Sequence, residues 1–372
     1  MKRVVITGAK GLIGWHAHTW LHAENCSAEF NEEEKPFDII ALDHASFDDD
    51  ETLYTALDGA SGVLHFAGIN RGSDEDVEAA NPAIALRLAN ACKAINVKPH
   101  IVYANSIHSY KNTAYGRSKS IAGKILARVG GLYTNLVLPH VFGECARPQY
   151  NNVTATFIES VILDKKPDVN PNGVVSLIHA GDVAKVSLDA IKNRAVGTIK
   201  LPYNEINVAK LLMLLRQFHM DYKDNIYPDL SDNFKLNLFN SYRAALYPSY
   251  FPKQMKLNTD PRGYLFEAVK GNGQVFLSTT KPGVTRGDHF HLQKVERFLV
   301  VQGEAIIRIR KVLNNDTWRF HVSGNAPASI DMPTLHTHSI ENIGNTDLLT
   351  LFWTNDFFDP QNPDTFADKV LK

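Results

Sequence analysis

The hydrophobic pattern divides the chain into two stretches of different character. In the first, short β-branched runs at 4–6, 38–42, 62–66 and 101–104 alternate with helical stretches, among them an Ala/Leu-rich segment at 79–95. Strand and helix in alternation predict a doubly wound parallel sheet, with a helix of about ten residues opened by the turn at 7–14. Between about 207 and 250 the pattern is helical and increasingly polar, and it ends at Tyr247-Pro248 and Phe251-Pro252. Proline favours extended backbone before it and stops a helix, which predicts a boundary there, with domains at 1–245 and 252–372. Beyond it, apolar runs at 274–279, 296–301, 305–312, 318–322 and 347–353 are separated by Gly and Asn turns. That spacing predicts a small antiparallel jelly roll. No low-complexity linker or internal repeat separates the two.

Composition narrows the function classes. A net charge of −1 with 21% charged residues gives no basic footprint for nucleic acid. No apolar run approaches membrane-spanning length, and Met1-Lys2-Arg3 followed by VVITGAKG reads as a buried strand, not a signal peptide. Cys26, Cys92 and Cys145 are widely spaced and form no Cys-x-x-Cys, which fits a reducing cytoplasm.

Chemistry first appears in Thr7-Gly8-Ala9-Lys10-Gly11-Leu12-Ile13-Gly14, directly after the first strand. The three glycines allow a tight turn, close backbone approach to a diphosphate and close packing of helix on strand. The helix that starts at Leu12 and Ile13 offers amide donors and a positive end to the phosphates. Asp43 ends the second strand, where a carboxylate can accept from both hydroxyls of an adenosine ribose or simply serve a turn. Ser106 follows the fourth strand, and Tyr115 and Lys119, four apart on a helix, share one face. An ammonium beside a phenol is expected to lower the phenol's pKa and fit it for proton transfer.

Gly-x2-Gly-x2-Gly followed by Ser and Tyr-x3-Lys resembles the extended short-chain dehydrogenase/reductase family. The segments 138–143 and 178–183 resemble that family's loop beside the nicotinamide and the segment where the substrate region rejoins the fold. The resemblance implies a nicotinamide cofactor held by Gly8, Gly11, Leu12, Ile13, Gly14, Asp43, Ala67, Gly68, Tyr115 and Lys119. It implies Ser106, Tyr115 and Lys119 as catalytic residues, with Asn70, Arg71, His140 and Arg147 toward substrate. Family dehydratases carry an acidic pair after the serine position; here Ile107 and His108 stand there, which disfavours elimination. With no arginine next to it in sequence, Asp43 favours NADH over NADPH or weakens the discrimination.

The second stretch holds a separate constellation. His289 and His291 alternate with Phe290, so both imidazoles leave one face of a strand, and Glu296 follows. Two or three neutral imidazoles and a carboxylate suit Zn²⁺ or another first-row divalent ion. The run Gly283-x5-His289-x-His291-x4-Glu296-x6-Gly303 resembles the first cupin motif at every position. Pro333, His338 and Asn342 match the second, with Leu335 where glycine is usual. The resemblance implies His289, His291, Glu296 and His338 as metal ligands, with His336 as a substitute ligand or acid–base group. Asp260-Pro261-Arg262-Gly263 with Glu267 resembles the opening of the deoxysugar 3,5-epimerases, which implies a substrate-phosphate role for Arg262; a turn with a salt-bridging arginine is the plain alternative.

A reductase followed by a metal cupin is narrower than either motif. The whole chain, including 147–151, 281–283 and 358–365, resembles the bifunctional capsular polysaccharide enzymes of the bacterial pathway to UDP-N-acetyl-L-fucosamine. That resemblance implies epimerisation at carbon 3 of a UDP-linked 4-keto-6-deoxy-HexNAc and reduction of the carbon 4 ketone with NADPH. The product would be UDP-N-acetyl-6-deoxy-L-talosamine, and cupins of this kind imply a homodimer. The alternatives are a single-function 4-keto-sugar reductase with a structural cupin, an epimerase with a degenerate reductase, and a sensor.

Overall fold

The computed structural model describes residues 1–372 as two compact units. The first comprises 1–142, 149–153 and 174–207; the second comprises 143–148, 154–173 and 208–372.

In chain order the elements up to residue 207 are β1 (Lys2–Thr7), α1 (Leu12–Phe30), β2 (Phe37–Leu42), α2 (His44–Asp48), α3 (Asp50–Leu57), β3 (Gly62–His65), α4 (Asp74–Ala94), β4 (His100–Ser106), α5 (Ala114–Leu126), β5 (Tyr133–Leu138), β6 (His140–Phe142), α6 (Val153–Ile162), β7 (Val174–His179), α7 (Ala180–Asn193), β8 (Gly197–Lys200) and β9 (Asn204–Asn207). Six strands form one parallel sheet in the order β2-β1-β3-β4-β5-β8. Its side chains alternate: Val4, Ile6, Leu64, Val102 and Leu136 pack with Ala17, Leu21 and Leu188, while Val5, Val63, Ile101 and Tyr103 pack with Leu53, Leu88 and Leu126. A parallel sheet covered on both faces is the reason its strands read as continuous β-branched runs. Strand order reverses between β1 and β3, and the loops after those two strands flank the crevice where open parallel sheets collect ligands.

The second unit contains α8 (Val208–Lys223), α9 (Asn233–Ala245), β10 (Lys253–Gln254), β11 (Asn258–Asp260), β12 (Gly263–Leu265), β13 (Gln274–Thr280), β14 (Thr285–Phe290), β15 (Glu296–Gln302), β16 (Glu304–Lys311), β17 (Thr317–Ser323), β18 (Ala328–Met332), β19 (His336–Asn342), β20 (Leu348–Thr354) and β21 (Phe366–Ala367). Two antiparallel five-stranded sheets, β10-β18-β15-β20-β13 and β17-β16-β19-β14-β21, form a jelly roll. The fold classes thus agree with the sequence pattern.

The division within the chain differs from the expected 1–245 and 252–372, because 208–250 groups with the barrel. A buried polar network ties α8 and α9 to β18. Asp331 is paired with Arg297 at 2.5 and 3.0 Å and accepts hydrogen bonds from the hydroxyls of Tyr222 and Tyr227. Arg243 donates to the carbonyl of Met332 at 2.6 Å. A buried carboxylate this heavily satisfied is costly to separate from its partners. No helix is long and apolar enough to cross a membrane.

Candidate functional site

In the first unit the glycine turn is built by close approach. Gly8 has φ +69, and a side chain there would meet the backbone of Ala67 at 2.7 Å; one on Gly14 would meet the carbonyl of Gly8 at 2.2 Å. Gly11 caps α1 without any side-chain hydrogen bond, so the first amides, those of Leu12 and Ile13 among them, are left for a ligand. Across the crevice Asn81 holds the Ala67-Gly68 loop: it accepts from the amide of Ile69 at 3.0 Å and donates to the carbonyl of Ile69 at 2.8 Å and to Ser118 Oγ at 3.0 Å. Asn81 escaped the sequence reading because its partners are set by tertiary packing.

Asp43 caps α2. Its carboxylate pairs with Lys10 Nζ at 2.6 Å and accepts from the Ser46 amide at 3.0 Å, and these contacts, Lys10 foremost, hold its pKa well below the ordinary carboxylate range. The basic neighbour that sequence adjacency did not show is therefore Lys10, from the glycine turn itself.

Ser106 Oγ, which accepts from the His108 amide at 3.1 Å, lies near enough to Tyr115 to act on its phenol. Tyr115 does not follow the expected pKa direction. Burial raises it, and Ser106 only partly offsets this. The cause is the burial of the phenol itself, and Lys119 does not counter it: the amine is buried, donates to the Ala104 carbonyl at 2.6 Å and sits 4.2 Å from the centre of the Tyr103 ring. Desolvation brings the amine's pKa down to about 7, so near neutrality it carries only part of a charge.

His140 is hydrogen-bonded to Asn152 and kept neutral by burial, with its Nε2 buried and unpartnered. Arg71 donates to the Gln149 carbonyl at 3.2 Å and lies over Tyr150, while the Asn70 carbonyl accepts from Asn151 at 2.8 Å. Arg147 is exposed in the 143–148 segment of the second unit. Arg262, exposed in the β11–β12 turn, is paired with Asp260 at 2.5 Å, the plain arrangement for such a turn.

In the second unit His289, His291, Glu296 and His338 offer ligand atoms that all lie within 4.8 Å of one another. His289 and His338 face each other across β14 and β19, just past a bulge between Gly287 and His289 that aims the first imidazole. Glu296 opens β15 on the opposite sheet. His336, in the same strand as His338, lies outside the cluster and stacks on Trp318. Leu335 adopts φ +61, the left-handed backbone that explains why glycine is usual at that position. Asn342 is fully engaged in a turn, donating to the carbonyls of Thr280 and Thr346 and accepting from Gly344.

The protonation pattern of this cluster fits a cation. A carbonyl only accepts, so the 2.5 Å contact of His291 Nδ1 with the Asp364 carbonyl places a proton on Nδ1; His338 Nδ1 likewise faces the His336 carbonyl at 3.3 Å. Both Nε2 atoms then point at one Glu296 oxygen, at 3.1 and 3.3 Å. Burial opposes charge on both members, yet each holds the other ionised: His291 is raised and Glu296 lies well below the usual carboxylate range. Burial and the neighbouring imidazoles push His289 well down, and burial also lowers His338. A divalent ion at this point would replace the Nε2 proton that His291 shares with Glu296, leaving imidazoles tied through Nδ1 and a carboxylate as the donor set of a borderline divalent ion.

Residues 4–209 match the model of the NAD dependent epimerase/dehydratase family, and residues 258–366 match the polysaccharide biosynthesis C-terminal domain. A curated relative from Pseudomonas aeruginosa, UDP-2-acetamido-2,6-beta-L-arabino-hexul-4-ose reductase, is 29% identical over 319 residues, covering 83% of this chain and 86% of that protein. The crystal structure of the capsular polysaccharide assembling protein CapF from Staphylococcus aureus is similar over 99% of this chain and 100% of its own, with 28% identity and a TM-score of 0.59.

Proposed function

The chain belongs to the NAD dependent epimerase/dehydratase family, and from that membership we propose a bifunctional sugar-nucleotide enzyme. The barrel epimerises carbon 3 of a UDP-linked 4-keto-6-deoxy-HexNAc, and the first unit reduces the carbon 4 ketone with NAD(P)H. The product is UDP-N-acetyl-6-deoxy-L-talosamine, on the way to UDP-N-acetyl-L-fucosamine for capsular polysaccharide. The relatives support the substrate class, one being named a reductase of a UDP-linked hexul-4-ose and the other a capsular assembling protein. The observation that carries the second activity is the four-residue cluster, whose ligand atoms lie within 4.8 Å of one another with two imidazole Nε2 atoms converging on one carboxylate oxygen.

In the reduction, Tyr115 gives its phenolic proton to the alkoxide forming at carbon 4, and Ser106 hydrogen-bonds the same oxygen. The nicotinamide, when bound, supplies the hydride. The buried Lys119, able to lose its proton near neutrality, is suited to relay a replacement proton to Tyr115. Lys10 offers positive charge beside Asp43, which suits a ribose 2′-phosphate and keeps NADPH as the cofactor, with NADH as the weaker partner. Ile107 and His108 in place of an acidic pair leave elimination without its acid and base.

In the barrel, His289, His291, Glu296 and His338 would hold Zn²⁺ or a similar ion, and the ion's Lewis acidity would make the proton beside the ketone removable. Carbon 3 loses that proton and regains one on the opposite face, with no net redox change. A homodimer suits the exposed edge strand β13, where Val275 and Leu277 are 57% and 67% exposed. The cytoplasm suits a chain with reduced cysteines and soluble nucleotide substrates.

The test is incubation with UDP-4-keto-6-deoxy-L-arabino-HexNAc in deuterated water, with and without NADPH or NADH. Deuterium uptake beside the ketone in the absence of cofactor, then nicotinamide oxidation when it is added, is the expected result. Oxidation without exchange would make the barrel structural, and no reaction would reject this substrate.

A further inference from the structure

The stretch 358–365 stands out in the sequence, yet neither proposed activity uses it. In the structure it leads into a C-terminal strap that lies along the ligand-bearing strand. β21 pairs with β14 at His289↔Ala367 and Phe290↔Phe366. The Asp364 carboxylate accepts from three successive amides of the loop that follows His291: Leu292 at 2.9 Å, Gln293 at 2.9 Å and Lys294 at 2.7 Å. The carbonyl of the same residue accepts from His291 Nδ1 at 2.5 Å. Lys294 grips the strap in return, donating through Nζ to the Pro363 carbonyl and to Thr365 Oγ1. Further along, the Asp368 and Val370 amides donate to the carbonyl and carboxylate of Asp288 at 2.9 and 3.0 Å. Asp288 has φ +56 in the bulge that precedes His289.

One residue therefore acts on the same loop through two groups. Its carboxylate holds the loop against the strap, and its carbonyl, fixed by that attachment, sets the tautomer and direction of a ligand imidazole. A backbone carbonyl on the far nitrogen of a ligating histidine orients the ring and raises its basicity. A loop cap that served stability alone would have no need to end on that imidazole.

We propose that Asp364 is a positioning residue of the metal centre: it locks His291 with Nδ1 protonated and Nε2 turned toward Glu296. The proposal rests on the reading of His289, His291, Glu296 and His338 as metal ligands. The strap's second attachment, at Asp288, holds only the backbone of the bulge that precedes His289.

The test uses the full-length protein, stripped with a chelator and titrated with Co²⁺, whose visible absorption reports coordination geometry. Affinity is read by competition against a chromogenic chelator. Asp364→Ala should lose about 10–100-fold in Co²⁺ affinity and change the spectrum. Asp364→Asn, which keeps one acceptor oxygen, should recover part of both. Lys294→Met loosens the strap while leaving Asp364 in place and should shift affinity in the same direction, which keeps the test open if Asp364→Ala fails to fold. A variant that melts lower but retains wild-type affinity and spectrum assigns Asp364 to stability alone and overturns the proposal. Failure of the wild-type protein to bind Co²⁺ in a low-coordinate, strongly absorbing site would instead overturn the metal reading beneath it.

Discussion

Lys119→Met separates what the buried amine does for chemistry from what it costs the fold. In the folded chain the amine's pKa is down at about 7 from 10.5, through desolvation. Each pKa unit is worth about 1.4 kcal/mol, so below pH 7 the folded state carries a penalty on the order of 5 kcal/mol for holding this charge. The sign follows from the direction of the shift. Below the folded pKa both states are protonated and the penalty is whole; between about 7 and 10.5 only the unfolded chain keeps the proton, and stability rises with pH. Methionine removes the penalty but leaves the Ala104 carbonyl without its 2.6 Å donor, a loss of about 1 kcal/mol. The variant should therefore be more stable than wild type by roughly 3–4 kcal/mol near pH 6 and slightly less stable above about pH 10.5, while ketone reduction is lost. Urea unfolding followed by circular dichroism at several pH values, fitted with separate transitions for the two units, measures this. A stability gap that stays constant from about pH 6 to pH 10 would refute the reasoning.

Three further outcomes are expected. Asp331→Ala strands the Arg297 guanidinium and two tyrosine hydroxyls in a dry interior; a loss of about 3–5 kcal/mol in the barrel's unfolding transition is expected. Asn81→Leu leaves the Ile69 amide and carbonyl unpaired; it should cost about 2 kcal/mol and raise KM for the nicotinamide more than it lowers kcat, as steady-state kinetics would show. Leu335→Gly relieves left-handed backbone but removes a side chain that is 1% exposed. Burial is worth about 2–3 kcal/mol against about 1 for the backbone, so the melting temperature should fall, and an unchanged or raised one would contradict that balance.

Local spacing explains what the sequence disclosed. The glycine turn, the Tyr-x3-Lys face and the His-x-His strand each place their groups within a few residues, where helix and strand periods decide direction. The alternating pattern likewise announced a parallel sheet followed by a jelly roll. What stayed hidden depends on partners distant in the chain. Lys10 meets Asp43 from 33 positions away, and Asp364 reaches the Leu292 amide across 72. The helices at 208–245 join the barrel through Tyr222 and Asp331, 109 residues apart. α1 runs 19 residues instead of about ten because polar positions such as Glu24 and Asn25 occur along a helix that buries Leu21, Ala23, Cys26 and Ala28. The pKa of Tyr115 could not be read from the presence of Lys119, since burial of the phenol itself, set by tertiary packing, decides its direction.

Separability of the two activities is the central claim, and paired single-site variants test it most directly. Tyr115→Phe should exchange deuterium beside the ketone at the wild-type rate and oxidise no nicotinamide. His338→Ala should lose the exchange and form no talo product, and a mixture of the two proteins should restore product. If His338→Ala, folded and alone, makes the same product at the wild-type rate, the barrel has no part in the chemistry and the bifunctional reading is wrong.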